Sequence, residues 1–103
     1  MAKRPPASIH PALVASRSAK AIGERLAYVR KAKQMSQAKF AKEIGSSQGA
    51  LGQYEVGMRR PAIEIGLRIR DRFGVSLDFL YAGDISKLPF DLAEQLRDLG
   101  YRP

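Results

Sequence analysis

The apolar positions of this chain fall into short helical stretches punctuated by serine and glycine. From Ser18 onward, Ile22, Leu26 and Val29 recur at i, i+4 and i+7, and Ser18 is placed to cap the start. A second stretch opens at Ser36 and puts Phe40, Ala41 and Ile44 on one face; Gly45, free to take positive φ, ends it. Ser47 is the next cap, followed by Leu51 and Tyr54 at i, i+3 and then Gly57. A fourth stretch runs from near Pro61 to Phe73 and stops at Gly74. A fifth begins after Ser76, carries Asp78 in its first turn, where the helix dipole favours a carboxylate, and ends before Gly83.

The fourth stretch is ambiguous, because Ala62 to Arg70 nearly alternates apolar and polar residues, the strand period. Ile63, Leu67, Arg70 and Phe73 fit the helical period equally well, Pro61 suits a first turn and Gly74 a C-cap. The chain offers no clear partner strand, and a lone strand is unstable. The expected fold is therefore an all-α five-helix bundle over residues 18–83. Pro5, Pro6 and Pro11 argue against a regular helix before it, so residues 1–17, with Lys3, Arg4 and Arg17, read as a flexible basic arm. Residues 84–103 read as a short tail in which Phe90, Leu92, Leu96 and Leu99 share one helical face. That face either folds back onto the bundle or forms a two-fold dimer contact.

Length and composition narrow the function. The chain has 103 residues, 45% hydrophobic and 27% charged, which suits one ordinary globular domain. It has no cysteine, which removes disulfides, thiolate zinc sites and a cysteine nucleophile. His10 alone cannot build a histidine metal cluster, and the usual Ser-His-Asp triad has little to stand on. No nucleophile-base pair or carboxylate cluster assembles near the bundle, so the chain reads as a non-enzyme without cofactor or metal. No apolar run approaches the roughly 20 residues of a membrane span, and no secretory leader is recognisable near Met1.

Charge then points to a partner. The formal net charge is +8. Residues 1–72 hold 15 basic and 5 acidic side chains, whereas residues 73–103 hold 3 and 5. Such a body suits a polyanion, of which nucleic acid is the commonest. The stretch from Ser36 to Glu55 sharpens this reading. Phe40, Ile44, Leu51 and Tyr54 face a common core and Ala41 permits a close crossing, which leaves Gln48, Gly49, Gly52 and Gln53 on the bare side. That side carries no charge, unlike most solvent-facing helices, and a glutamine amide matches the N6 and N7 edge of adenine in the major groove.

Residues 22 to about 82 resemble the lambda Cro and repressor type of helix-turn-helix domain, the xenobiotic-response-element family. The resemblance is carried by Ser36-Gln37, Ala41, Gly45 and Ser47-Gln48, then Tyr54-Glu55, Gly57, Arg60-Pro61 and the run from Phe73 to Leu80. It implies that Gln48 reads bases, with Gln53 a second reader or a phosphate contact. It implies that Gln37 bonds a phosphate and braces Gln48, and that Ser47 leaves neighbouring N–H groups near a phosphate. Arg30 would pair with Glu55 while presenting charge to the DNA backbone, and Arg59 and Arg60 would clamp phosphates at the edge. Gly49 and Gly52 depart from the family, which more often has Ser, Thr, Arg or Glu there; each glycine costs a helix about 0.8–1 kcal/mol relative to alanine. Ala62 departs too, replacing a capping Ser or Thr.

The expected function is sequence-specific binding of double-stranded DNA by a homodimeric, cytoplasmic, bacterial or phage-encoded transcription regulator, most simply a repressor. An alternative on the same fold is an antitoxin or protein-interaction module whose leucine-bearing tail binds a protein partner. A third reading, a nonspecific nucleoid coat, predicts equal affinity for random duplex. No membrane partner is expected.

Overall fold

A computed structural model describes residues 11–103. Its helices are α1 (Pro11–Ser16), α2 (Ala19–Ala32), α3 (Gln37–Glu43), α4 (Gln48–Glu55), α5 (Ile63–Phe73), α6 (Leu77–Ala82) and α7 (Phe90–Asp98), and no strand occurs among the described residues. The five central helices are the expected bundle, with one helix added at each end.

Serine sets four of the starts. Ser18, Ser36, Ser47 and Ser76 are each extended, and their hydroxyls accept from the N–H of Ala21, Lys39, Ala50 and Phe79. Each cap therefore satisfies one of the N–H groups that a helix start leaves without a partner. Ala62 gives α5 no side-chain cap. The Tyr81 hydroxyl of α6 ties this start down in another way, sharing its one proton between the carbonyls of Pro61 and Ala62 at 3.0 and 3.1 Å. Burial pushes the Tyr81 phenol above its ordinary pKa.

Ile22, Leu26 and Val29 from α2, Phe40 and Ile44 from the α3 end, and Leu51 and Tyr54 from α4 meet in one core with Ile69, Val75, Phe79 and Leu80. Phe40 stacks on Phe73 with ring centroids 4.9 Å apart. The α5 segment is helical, as expected, and Phe73 packs on the core from its end. Ile65, Gly66 and Ile69 are buried, whereas Ile63 is 60% exposed and Arg70 is exposed beside Asp71. Both sets keep the helical period; Gly66 selects between them. It lets α5 close against Tyr81, whose hydroxyl would lie 2.5 Å from a Cβ at that position.

The arm expected over residues 1–17 also needs correction, since Pro11–Ser16 is helical. Pro11 occupies the first helical position, where its missing N–H is no loss. α1 packs on α2 and α6, and Arg25 reaches its last carbonyl, on Ser16. Residues 1–10, with Lys3, Arg4 and His10, lie outside the described residues. Arg25 itself is 5% exposed and donates through Nε to the Leu80 carbonyl at 3.0 Å, so one guanidinium closes the C-terminal ends of α1 and α6. Burial lowers its pKa, against an opposing contribution from Tyr101.

At the other end the tail folds back. Leu92 and Leu96 of α7 are buried against α2. Tyr101 then sets its ring edge-on to Tyr28 and Phe79, at 5.3 and 5.6 Å. Phe90 and Leu99 do not share the buried face as expected, being 75% and 44% exposed. Phe90 sits two residues from Leu92, about half a turn round the helix, and Leu99 lies past the last regular turn as its C-cap.

Candidate nucleic-acid interface

The α3–α4 corner is built by one glycine and one serine. Gly45 takes φ +67, a conformation that costs glycine little, and the Ser46 N–H returns to the Ala41 carbonyl at 2.9 Å. Two residues later Ser47 caps α4, accepting from Ala50 N at 3.0 Å. That bond takes up the Ala50 N–H at the head of α4, the positive end of the helix dipole. Leu51 and Tyr54 anchor the inner side of α4 at 0% and 3% exposure.

The approach of α2 depends on Gly23. A Cβ there would overlap the Tyr54 carbonyl oxygen and stand 2.8 Å from that of Glu55. Gly23 therefore fixes how closely α4 lies on α2, a role that sequence reading missed. Its only signal was a small residue inside the Ile22–Leu26 apolar stripe.

With the inner side so held, the outer side carries the residues expected of it. Gln48, Gly49 and Gln53 are exposed and Gly52 is half-buried. A Cβ added at Gly49 or Gly52 would meet nothing within 4 Å. No internal contact requires glycine at either place.

A polar lock sets the far end of α4. Glu55 accepts from Arg30 through both carboxylate oxygens, Nε to Oε2 at 2.7 Å and Nη2 to Oε1 at 3.1 Å. Arg30 Nη1 donates to the Met35 carbonyl at 2.9 Å, and Gln37 Nε2 donates to Glu55 Oε1 at 3.0 Å. The pair is largely out of water, with side-chain exposures of 15% and 7%. The expected Arg30–Glu55 ion pair is thus present and joins α2, α3 and α4. All three Arg30 nitrogens are engaged inside the protein, so little of its charge is offered outward. Gln37 bonds Glu55 where a brace on Gln48 was expected; a charged acceptor outbids a neutral amide for the same donor.

Three arginines lie on segments that adjoin α4 or the α3–α4 corner. Arg59 lies over the Tyr54 ring, 5.1 Å from its centroid, and donates to its hydroxyl at 3.2 Å. Arg60 donates through Nε and Nη2 to the Arg17 carbonyl at 3.2 and 3.0 Å, tying the α4–α5 loop to the α1–α2 junction. Arg68 was not anticipated; from α5 it reaches the carbonyls of Ile44 and Gly45 at 3.4 and 3.3 Å, beside the corner. No sequence signal distinguishes it from the other arginines of its helix.

Comparison with known proteins agrees with this geometry. Residues 26–80 match the helix-turn-helix family model. The chain is 37% identical over 76 residues to YonR, an SPbeta prophage-derived HTH-type transcriptional regulator of Bacillus subtilis (strain 168), covering 74% of this chain and 68% of the relative. No solved structure matches the chain.

Proposed function

The chain belongs to the helix-turn-helix family, in its Cro and repressor branch, and is a DNA-binding transcription regulator; from that premise we propose how it reads its DNA. α4 enters the major groove. Gln48 reads a base edge by paired donor and acceptor, Gln53 reads a second base or a phosphate, and Gly49 and Gly52 let the helix backbone approach the base edges between them. The head of α4 after Ser47 takes a phosphate on its first N–H groups. Arg59 and Arg60 neutralise phosphates at the edge of the site. Arg30 and Gln37 serve chiefly by holding Glu55, and through it the angle of α4, their remaining exposed edges lying toward the DNA backbone.

A single eight-residue recognition helix reads only a few base pairs. Two copies related by a two-fold axis would read half-sites about 34 Å apart on one face of the duplex. The protein then acts as a homodimeric repressor in the cytoplasm, occluding polymerase on bacterial or prophage DNA. One observation carries this reading: an exposed, charge-free Gln-Gly face on a helix whose other side and both ends are fixed by the core, the Ser47 cap and the Arg30–Glu55–Gln37 lock.

Selection of bound duplexes from a random pool tests it. The expected outcome is an enriched inverted repeat with one preferred spacing. Recovery of unenriched sequence would leave only nonspecific coating.

A further inference from the structure

The chain turns back after α7, and the return encloses a cavity. Gly100 takes φ +93 and its N–H donates to the Arg97 carbonyl at 2.9 Å, while the Tyr101 N–H donates to the Leu96 carbonyl at 2.9 Å. Tyr101 is held there, edge-on to Tyr28 and Phe79. The loop before α7 is fixed as well. The Asp84 carboxylate accepts from the Ser86 N–H at 2.9 Å, and the Leu88 N–H donates to the Ile85 carbonyl at 3.2 Å. Between these two segments and α7 lies an open cavity of about 280 Å³, with Ile85, Leu88, Ala93, Leu96 and Tyr101 in its apolar lining.

Two guanidinium groups, Arg97 and Arg102, share this otherwise apolar lining. Arg97 Nη1 donates to Glu94 on the same helix at 2.8 Å, but the Arg97 side chain is 69% exposed, and such a pair exchanges partners at little cost. An arginine fork matches a planar carboxylate. Glu94 already offsets part of the positive charge here, so a monoanion fits better than a dianionic phosphate.

We propose that this cavity binds a small aromatic monocarboxylate, its ring among Leu88, Leu96 and Tyr101 and its carboxylate on Arg97 and Arg102. Volume sets the size. Cavities of roughly 150 Å³ hold a benzene ring, so about 280 Å³ takes a ring with a two- or three-atom arm. Tyr101 sets the chemistry of the ring, because an aromatic ligand extends the edge-to-face cluster of Tyr28, Phe79 and Tyr101 by one member. The site lies within residues 85–103 and shares no residue with the α4 face, so its occupancy does not depend on how DNA is read. A ligand there binds the folded chain alone and raises Tm.

Titration of phenylpropanoate into the isotope-labelled full chain without DNA, followed by amide chemical shifts, tests the site. Saturable shifts at Ile85, Leu88, Ala93 and Tyr101 are expected, with a Kd of about 0.1–1 mM for a ligand of about eleven heavy atoms, together with a higher Tm. The isosteric phenylpropanamide should bind about 10-fold more weakly, and phenylethyl phosphate no more tightly than the carboxylate. Arg97→Gln and Arg102→Gln should each weaken binding by about 3-fold or more with unchanged melts. Arg70→Gln, also exposed but not in the lining, should leave it unchanged, which separates a site from general attraction to a chain of net charge +8. Ala93→Leu should fill the cavity and abolish binding. Shifts that fail to saturate by about 20 mM, an amide that binds as well as the carboxylate, or a phosphate that binds more tightly would each overturn the proposal. So would arginine variants no weaker than Arg70→Gln, or a folded Ala93→Leu that binds as the wild type does. The same shifts on raising the protein concentration alone would make a second copy the occupant and overturn it too.

Discussion

Consider replacing Gly49 and Gly52 by alanine together. In the free protein the change should stabilise. Both positions lie within α4, neither has positive φ, and an added Cβ at either meets nothing within 4 Å. Each substitution then returns the helix-propensity cost of glycine, about 0.8–1 kcal/mol, and the pair about 1.6–2 kcal/mol. For a domain of this size that raises Tm by roughly 6–16 °C. On DNA the sign should reverse. In the proposed reading the two methyl groups would fill the space through which the backbone of α4 approaches the base edges, between Gln48 and Gln53. Thermal melts by circular dichroism and titration of a selected duplex, on the same preparation, give both quantities. Higher Tm with weaker binding to the selected duplex is expected. Higher Tm with unchanged binding would show that this face does not meet DNA, and an unchanged Tm would refute the claim that the two glycines weaken α4.

Glu55→Ala should destabilise by about 3 kcal/mol, because it leaves the largely buried Arg30 guanidinium without its carboxylate; denaturant unfolding measures this, and a change under about 1 kcal/mol would mean the pair behaves as an exposed one. Arg60→Ala should weaken binding to all duplexes alike and reduce the slope of log affinity against log salt by about 1, and an unchanged slope would remove its phosphate role. Stability should fall as pH rises past about 10. Burial raises the folded-state pKa of Tyr81 and Tyr101, so their contribution is complete below the unfolded phenol pKa and is lost as pH climbs through the folded ones. Tyr81→Phe should make that alkaline decline shallower, as read from melts across the pH range; an equally steep decline would place the titration elsewhere.

Where a residue's role is local, the sequence announces it. Ser18, Ser36, Ser47 and Ser76 each cap a helix, and Gly45 turns the α3–α4 corner with positive φ, because capping and turning depend on a few adjacent residues. Gln48 and Gln53 are legible as exposed because Leu51 and Tyr54 fix the phase of α4. The phase of α5 is not legible, since Ile63 and Leu67 keep the same period as Ile65 and Ile69. What holds the observed phase is contact with other helices, such as the close approach of Tyr81 to Gly66, which spans 15 residues of sequence. Gly23 and Arg68 escape notice for the same reason, as Gly23 meets carbonyls of α4 and Arg68 those of the α3–α4 corner. α1 is hidden because its proline argues against a helix while Arg25, whose guanidinium holds the last carbonyl of α1, lies outside that stretch. The sequence suggests Gln48 as the neighbour of Gln37, because nothing in it reveals that Glu55 lies within reach of the same amide.

The central claim, that α4 reads bases through Gln48, is tested most directly by one paired titration. Wild type and Gln48→Ala are each measured on the selected duplex and on random duplex at the same salt concentration. The account predicts a loss of roughly 1–3 kcal/mol on the selected duplex and almost none on the random one. Equal losses on both duplexes would contradict it.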